Sequence, residues 1–248
     1  MRIVISLLFF ACAVIRADTL SDLKIALAAL DGRGTIKARV EVGLVQRNDE
    51  AAKDDPAALT VAALVEDGPQ GLTITWDHAL LQATATEVEA KGKDPNKSTP
   101  TRNSMDDLRP SALTEYLAAR PRVLRLLDQA QLTEEKDVVW EGQPTRLLTF
   151  KWTPPLSDKD KKFIKEAEGT ARLRLGADGL PVAVEIREHA KGRALLVISF
   201  ETTETEEIRF AKTGGRLVVT HYEHETRSSG GGQTGMRKSF ITLRPLAP

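Results

Sequence analysis

The densest set of chemically capable side chains is His221-Tyr222-Glu223-His224-Glu225, a local cluster of metal-ligand residue types. In an extended strand, side chains alternate between faces, so His221 and His224 point to opposite sides and cannot chelate together unless the strand ends between them. His221 and Glu223 share a face, but two ligands make no metal site, and His78 and His189 are remote in the chain. The cluster reads as a polar strand end. A second candidate, Gly230 to Ser239 (GGGQTGMRKS), has the glycine content of a phosphate-cradling loop. That loop needs Lys directly after its last Gly and then Ser or Thr opening a helix, because loop amides and the helix start hold the phosphate. Here Met236 and Arg237 intervene, and Phe240-Ile241-Thr242-Leu243 reads as a strand. A hairpin tip is the reading. There is no Gly-x-Ser-x-Gly elbow, and four histidines supply few general bases. The acid pairs Asp54-Asp55, Asp106-Asp107 and Glu206-Glu207 sit in polar segments and read as solvated charge. With no catalytic constellation in view, the expectation is a protein that is not an enzyme and needs no cofactor or metal.

Arg2, the apolar run Ile3 to Ile15 and then Arg16-Ala17-Asp18 have the form of a secretory leader. The run is shorter than the roughly twenty residues a bilayer span requires, so no transmembrane span is expected in the mature chain. Residues 1–17 are therefore assigned as leader, cleaved after Ala17. The single cysteine, Cys12, lies inside it. Lipidation at Cys12 would need a Leu-x-Ala-like box; Phe9-Phe10-Ala11 matches only in its last position, and Ala13-Val14-Ile15 prolong the apolar run. Removal with the leader is the reading, with lipidation as the alternative. A mature chain without cysteine has no disulfides and no thiolate chemistry. Without Arg2 and Arg16 the 35 basic side chains become 33, against 35 acidic ones, which leaves no electrostatic footprint for nucleic acid. The expected location is outside the cytoplasm, in the periplasm or cell envelope.

The elements that must position any site are mostly strands. In Ala171 to Glu188, Leu173 and Leu175 alternate with Arg172 and Arg174, and Val182, Val184 and Ile186 alternate with Ala183, Glu185 and Arg187. That period of two, broken by Asp178-Gly179, predicts a hairpin with one dry and one wet face. The same alternation appears at Ile36 to Leu44, Leu59 to Val65, Leu72 to Trp76, Val138 to Trp152 around Glu141-Gly142, Leu196 to Phe200, after Gly214-Gly215, and at Phe240 to Leu243. Helical spacing marks Thr19 to Leu30, a segment after the Asp77 cap, and Ser111 to Ala130 with a break at Pro121. A further helix is expected over Ser157 to Glu168, with Phe163, Ile164 and Ala167 on one face. Lys91 to Arg109 is polar and reads as a solvated connector, with a mobile lid as the alternative. Gln46 to Pro56 reads as a loop. About ten strands and no interior linker give one α+β domain over residues 18–248.

This order of elements, with segments such as TIKARVEVGL, GQPTRLLTFKW and ARLRLGADGLPVAV, resembles the LolA-like outer-membrane lipoprotein carriers and their envelope relatives. The resemblance implies a strongly curved antiparallel half-barrel whose concave face, covered by helices, could hold acyl chains. The sparse aromatics, 5% of residues, and the long Lys91 to Arg109 segment set this chain apart and favour an exported relative over a true lipoprotein carrier.

On this reading Val40, Val42, Leu44, Leu173, Leu175, Val182, Val184, Ile186, Ile198 and Phe200 line a cavity for a lipid or other hydrophobic ligand, such as lipoprotein acyl chains. Each buried methylene would contribute about 0.8 kcal/mol. The alternative is that these residues form a filled core and the protein is a non-catalytic interaction or structural component of the envelope, meeting a protein partner through a sheet edge or loop.

Overall fold

The structure, a computed structural model, describes residues 16–32, 34–48, 59–194 and 198–246. The predicted leader run with Cys12, most of the Gln46 to Pro56 loop, and Leu196 lie outside the described residues. The chain runs α1 (Arg16–Ala28), β1 (Ile36–Asn48), β2 (Leu59–Gly68), β3 (Gly71–Trp76), then four consecutive helices, α2 (His78–Lys93), α3 (Pro100–Asp106), α4 (Pro110–Leu117) and α5 (Arg120–Gln129). Seven strands follow: β4 (Gln131–Trp140), β5 (Gln143–Trp152), β6 (Ile164–Leu175), β7 (Pro181–Ala194), β8 (Ile198–Thr213), β9 (Arg216–Gly230) and β10 (Gln233–Pro245).

Among the described residues the ten strands form a single antiparallel sheet in the order β3-β2-β1-β10-β9-β8-β7-β6-β5-β4. It is open, with β3 and β4 as its edges, and the class is α+β. The predicted hairpin is present: Leu173 pairs with Val184 and Arg172 with Glu185, and Gly179 takes the positive φ of 75° that its turn demands. Asp178 supports the turn by accepting the Leu180 amide at 3.0 Å.

Register sets the two faces. Val42, Ile241, Tyr222, Ile208, Val184, Leu173 and Leu148 fall in one row across seven strands. This face carries the helices. Because the chain leaves the sheet at one edge, β3, and re-enters at the other, β4, helices α2 to α5 must carry it across. Accordingly α3 packs on β2, α4 on β9, and α5 beside α1. Leu108, Leu113 and Leu117 bury against β1, β2 and β10, while Val123 and Leu127 join Leu23 and Leu27 of α1 over Leu148, Phe150, Leu173 and Val184. The opposite face bears ion pairs such as the exposed Lys37–Glu66 at 3.3 Å and the half-buried Lys238–Glu223 at 2.7 Å. Each contributes about 0–1 kcal/mol.

The break expected at Pro121 is real. Helix α4 stops at Leu117, Pro121 sits in the first turn of α5, and the buried Ala119 between them donates its amide to the Leu217 carbonyl at 2.8 Å. The α4–α5 corner is thereby pinned to β9.

Three expectations are corrected. Ser157 to Glu168 is not a helix: a single 3-10 turn at Asp160–Lys162, with the Asp160 amide donating to Ser157 Oγ at 3.2 Å, leads straight into β6 at Ile164. Pairing of Ala167 with Ala190 and Glu168 with His189 supplies β6 with ladder partners that no helix would use. The Lys91 to Arg109 segment is no plain connector, since it holds α3 and buries Thr99, Thr101, Ser104 and Leu108. Finally, His221 to Glu225 lies inside β9, with pairing partners on both sides, and not at a strand end.

Candidate functional site

Along β7 and β8 the helix-covered face changes character. Val184 and Ile208 are buried, and the next positions of the same period are Ile186 and Glu206, then Glu188 and Glu204, each pair directly opposed across the two strands. These residues meet α4 and α5 across a cavity of about 550 Å³, whose lining includes Tyr116, Arg122, Leu126, Trp152, Ile186, Glu188, Glu204, Glu206 and Tyr222. A neighbouring recess of about 300 Å³ shares Arg109, Ala112, Tyr116 and Tyr222 with it and extends to Val42, His224 and Arg237.

The groove is built around Glu206. Arg122 Nη2 of α5 donates to Glu206 Oε2, and Tyr222 Oη of β9 donates to Glu206 Oε1 at 3.0 Å. The Arg122 guanidinium also lies 5.3 Å from the Tyr222 ring centroid, and the Tyr116 ring is 5.6 Å from Tyr222. Burial pushes the Tyr116 hydroxyl up to about 12 and raises that of Tyr222, to which the nearby Glu206 charge adds. Burial opposes the Arg122 charge, but Glu206 and Tyr222 outweigh it and hold the guanidinium above its ordinary range. Arg122, Tyr222 and Glu206 thus satisfy one another, with the Tyr116 ring packed beside them.

Glu188 differs. Trp152 Nε1 donates to its Oε1 at 3.3 Å, and the indole packs on Gly169, where a Cβ would stand 2.2 Å from Trp152 Cε2. Burial raises the Glu188 carboxyl above the usual range against the Trp152 bond, and the charges of Glu204 and Glu206 raise it further. In the adjoining recess, burial likewise raises Asp107, with Arg237 and Arg109 opposing.

The residues predicted to line a cavity separate into groups. Val40 and Val42 belong to the core under α3 and α4, and Leu173, Leu175 and Val184 to the core under α1 and α5. Val182 is half-buried at a bulge against Gly176. Ile186 lines the main groove, and Val42 lines its smaller neighbour. Phe200 is half-buried over Gly192 and Gly230, and Ile198 is exposed. The Leu44 backbone pairs with Ser239 and Leu59, while its side chain lies outside the described residues.

The histidines do not converge. His78 opens α2, His189 Nδ1 contacts Thr203 Oγ1 at 3.1 Å, His221 faces away from the helices, and His224 Nε2 lies 3.7 Å from Glu204. Among the described residues no group of three or more His, Cys, Asp or Glu could hold a metal ion. Glu206, expected from the sequence to be solvated charge, is instead half-buried and paired with Arg122 and Tyr222, and the sequence carried a signal for it and its neighbours. Stepping by two from Phe210 and Ile208 reaches Glu206 and Glu204, and stepping by two from Val184 and Ile186 reaches Glu188, so acids continue an apolar face. No protein-family model, curated protein or solved structure matches this chain.

Proposed function

We propose that the chain is an exported, non-catalytic binding module of the cell envelope, a half-barrel whose helices cover the concave side of a curved sheet. The groove beside Pro121 takes an amphipathic small molecule. The likeness to LolA-like carriers and the leader-like Met1 to Ala17 favour this setting. The observation that carries the reading is the space of about 550 Å³ between α4–α5 and β7–β9. Its size falls in the range of about 300–1,000 Å³ usual for small-molecule sites, and it combines apolar and aromatic side chains with a few fixed polar groups. Five of the ten residues expected to hold acyl chains belong to the packed cores instead, so the ligand is amphipathic and meets a partly polar wall.

The test is titration of the folded protein with an environment-sensitive fluorescent alkyl probe of no net charge, laurdan, alongside Ala112→Trp, which places an indole in the groove. Saturable binding that Ala112→Trp abolishes without lowering the melting temperature is expected. Absence of saturable binding, or binding indifferent to the substitution, sinks the reading.

One observation favours an interaction role as a second reading. The edge strand β4 is open along Gln131–Trp140 and presents Val139 at 76% exposure, so a partner strand could pair there.

A further inference from the structure

We propose that the groove selects an organic cation, an amphiphile whose ammonium head sits against Glu188 and Glu204 while its apolar part lies along Ile186, Leu126 and Trp152. This rests on the reading of the groove as a binding site.

Glu206 is already matched by Arg122 and Tyr222, so it is not available to a ligand. Glu188 and Glu204 stand directly opposite each other on β7 and β8 with their side chains on the groove wall. Like charges in directly opposed positions of an antiparallel pair destabilise a sheet. Nothing described on the protein offsets them fully: Glu188 receives only the neutral Trp152 N–H, and Glu204 has His224 at 3.7 Å, toward the neighbouring recess. Arg109 and Arg125, which also line the cavity, are exposed at its rim and form no ion pair with either acid among the described residues. At the rim their charge is screened by water and salt, as is part of that of Glu204, whose side chain is 50% exposed at the groove mouth, whereas Glu188 is half-buried and sets the sign of the inner wall. The inner wall therefore has a net negative charge. Trp152 and Tyr222 add aromatic surface that an ammonium group prefers over an anion or a neutral hydroxyl. One cation placed there relieves the opposed carboxylates, receives two charge-assisted contacts and leaves its hydrocarbon on the apolar strip. A carboxylate of the same length would meet Glu188 and Glu204 as like charges.

The test uses three amphiphiles of one chain length, decylamine, decanol and decanoate, each below its aggregation concentration at pH 7.5. Each competes against the uncharged laurdan probe on the full folded chain and on Glu188→Gln/Glu204→Gln. The amine should bind about tenfold more tightly than the alcohol, the scale of a partly buried charge pair, with decanoate weakest. In the double variant, the amine should fall to the level of the alcohol while the alcohol is unchanged. Equal binding of amine and alcohol, preference for decanoate, or an amine affinity untouched by the double substitution overturns the proposal and leaves the groove reading standing. If none of the three displaces the probe, both fall together.

Discussion

Strands β7 and β8 carry one face through two environments. Around Val184 and Ile208 the face is dry, closed by α1 and α5 and filled with aliphatic side chains. Two to four residues further along, the same face presents Glu188, Glu204 and Glu206 to a cavity. Backbone, period and pairing are continuous across the boundary, and only the cover changes. A helix lying directly on the sheet demands residues without polar atoms, whereas a helix held off the sheet admits charges that have either a partner or water.

Five substitutions, one of them added to another, would break or sharpen that contrast. The largest effect should come from Leu173→Ala in the dry region, where the side chain is fully buried. A loss of about 3 kcal/mol in chemical denaturation is expected, with probe affinity of the folded fraction unchanged. Arg122→Ala should cost about 2 kcal/mol, since it strands the Glu206 carboxylate at a partly buried position. Adding Glu206→Gln should recover most of that loss, and failure to recover would show that Arg122 acts by packing alone. Gly169→Ala should cost about 1 kcal/mol and shift tryptophan fluorescence, because the new methyl group displaces Trp152 from its seat.

The smallest effect should be a gain. The carboxyl of Glu188 is raised in the folded state by burial, with Glu204 and Glu206 adding to it. The native state therefore binds more protons than the unfolded one between the two pKa values, and stability falls as pH rises through that window. Glu188→Gln should accordingly raise stability by about 0.5 kcal/mol at pH 7.5 and by nothing at pH 4, measured by thermal melts at both values. A gain that persists at pH 4 would assign the effect to packing.

The dry region was legible in the sequence and the groove was not. Leu173, Val184 and the Asp178-Gly179 turn announce themselves through local alternation and turn chemistry, both written within a few residues. The groove depends on where α4 and α5 stand, which is fixed by the Ala119–Leu217 bond and by the edge-to-edge crossing, neither encoded near Glu188. Helix α3 was hidden for a related reason. It lacks an apolar stripe, and the Thr101 and Arg102 amides at its start donate to Glu87 of α2 at 3.0 and 3.2 Å, a cap supplied from another helix. The false helix at Ser157 to Glu168 shows the reverse. Phe163, Ile164 and Ala167 fit a helical spacing, but the partner strand β7 extends far enough to claim them.

The crossing of α2 to α5 also bears on how the molecule comes together. Hydrogen bonding leaves the sheet open at β3 and β4, yet the covalent chain joins those two edges, so sheet and helices form a ring with a single distant seam, the β1–β10 ladder. All other strand pairings join near neighbours in sequence and can form as local hairpins, while the seam must await nearly the whole chain. The groove wall at Tyr222 leans on β10 across from that seam, so it is completed only in the last stage of folding. The last pairing made in folding is the first lost on opening, so amides bonded across the β1–β10 seam should exchange with solvent through smaller openings than those of the central β6–β7–β8 hairpins.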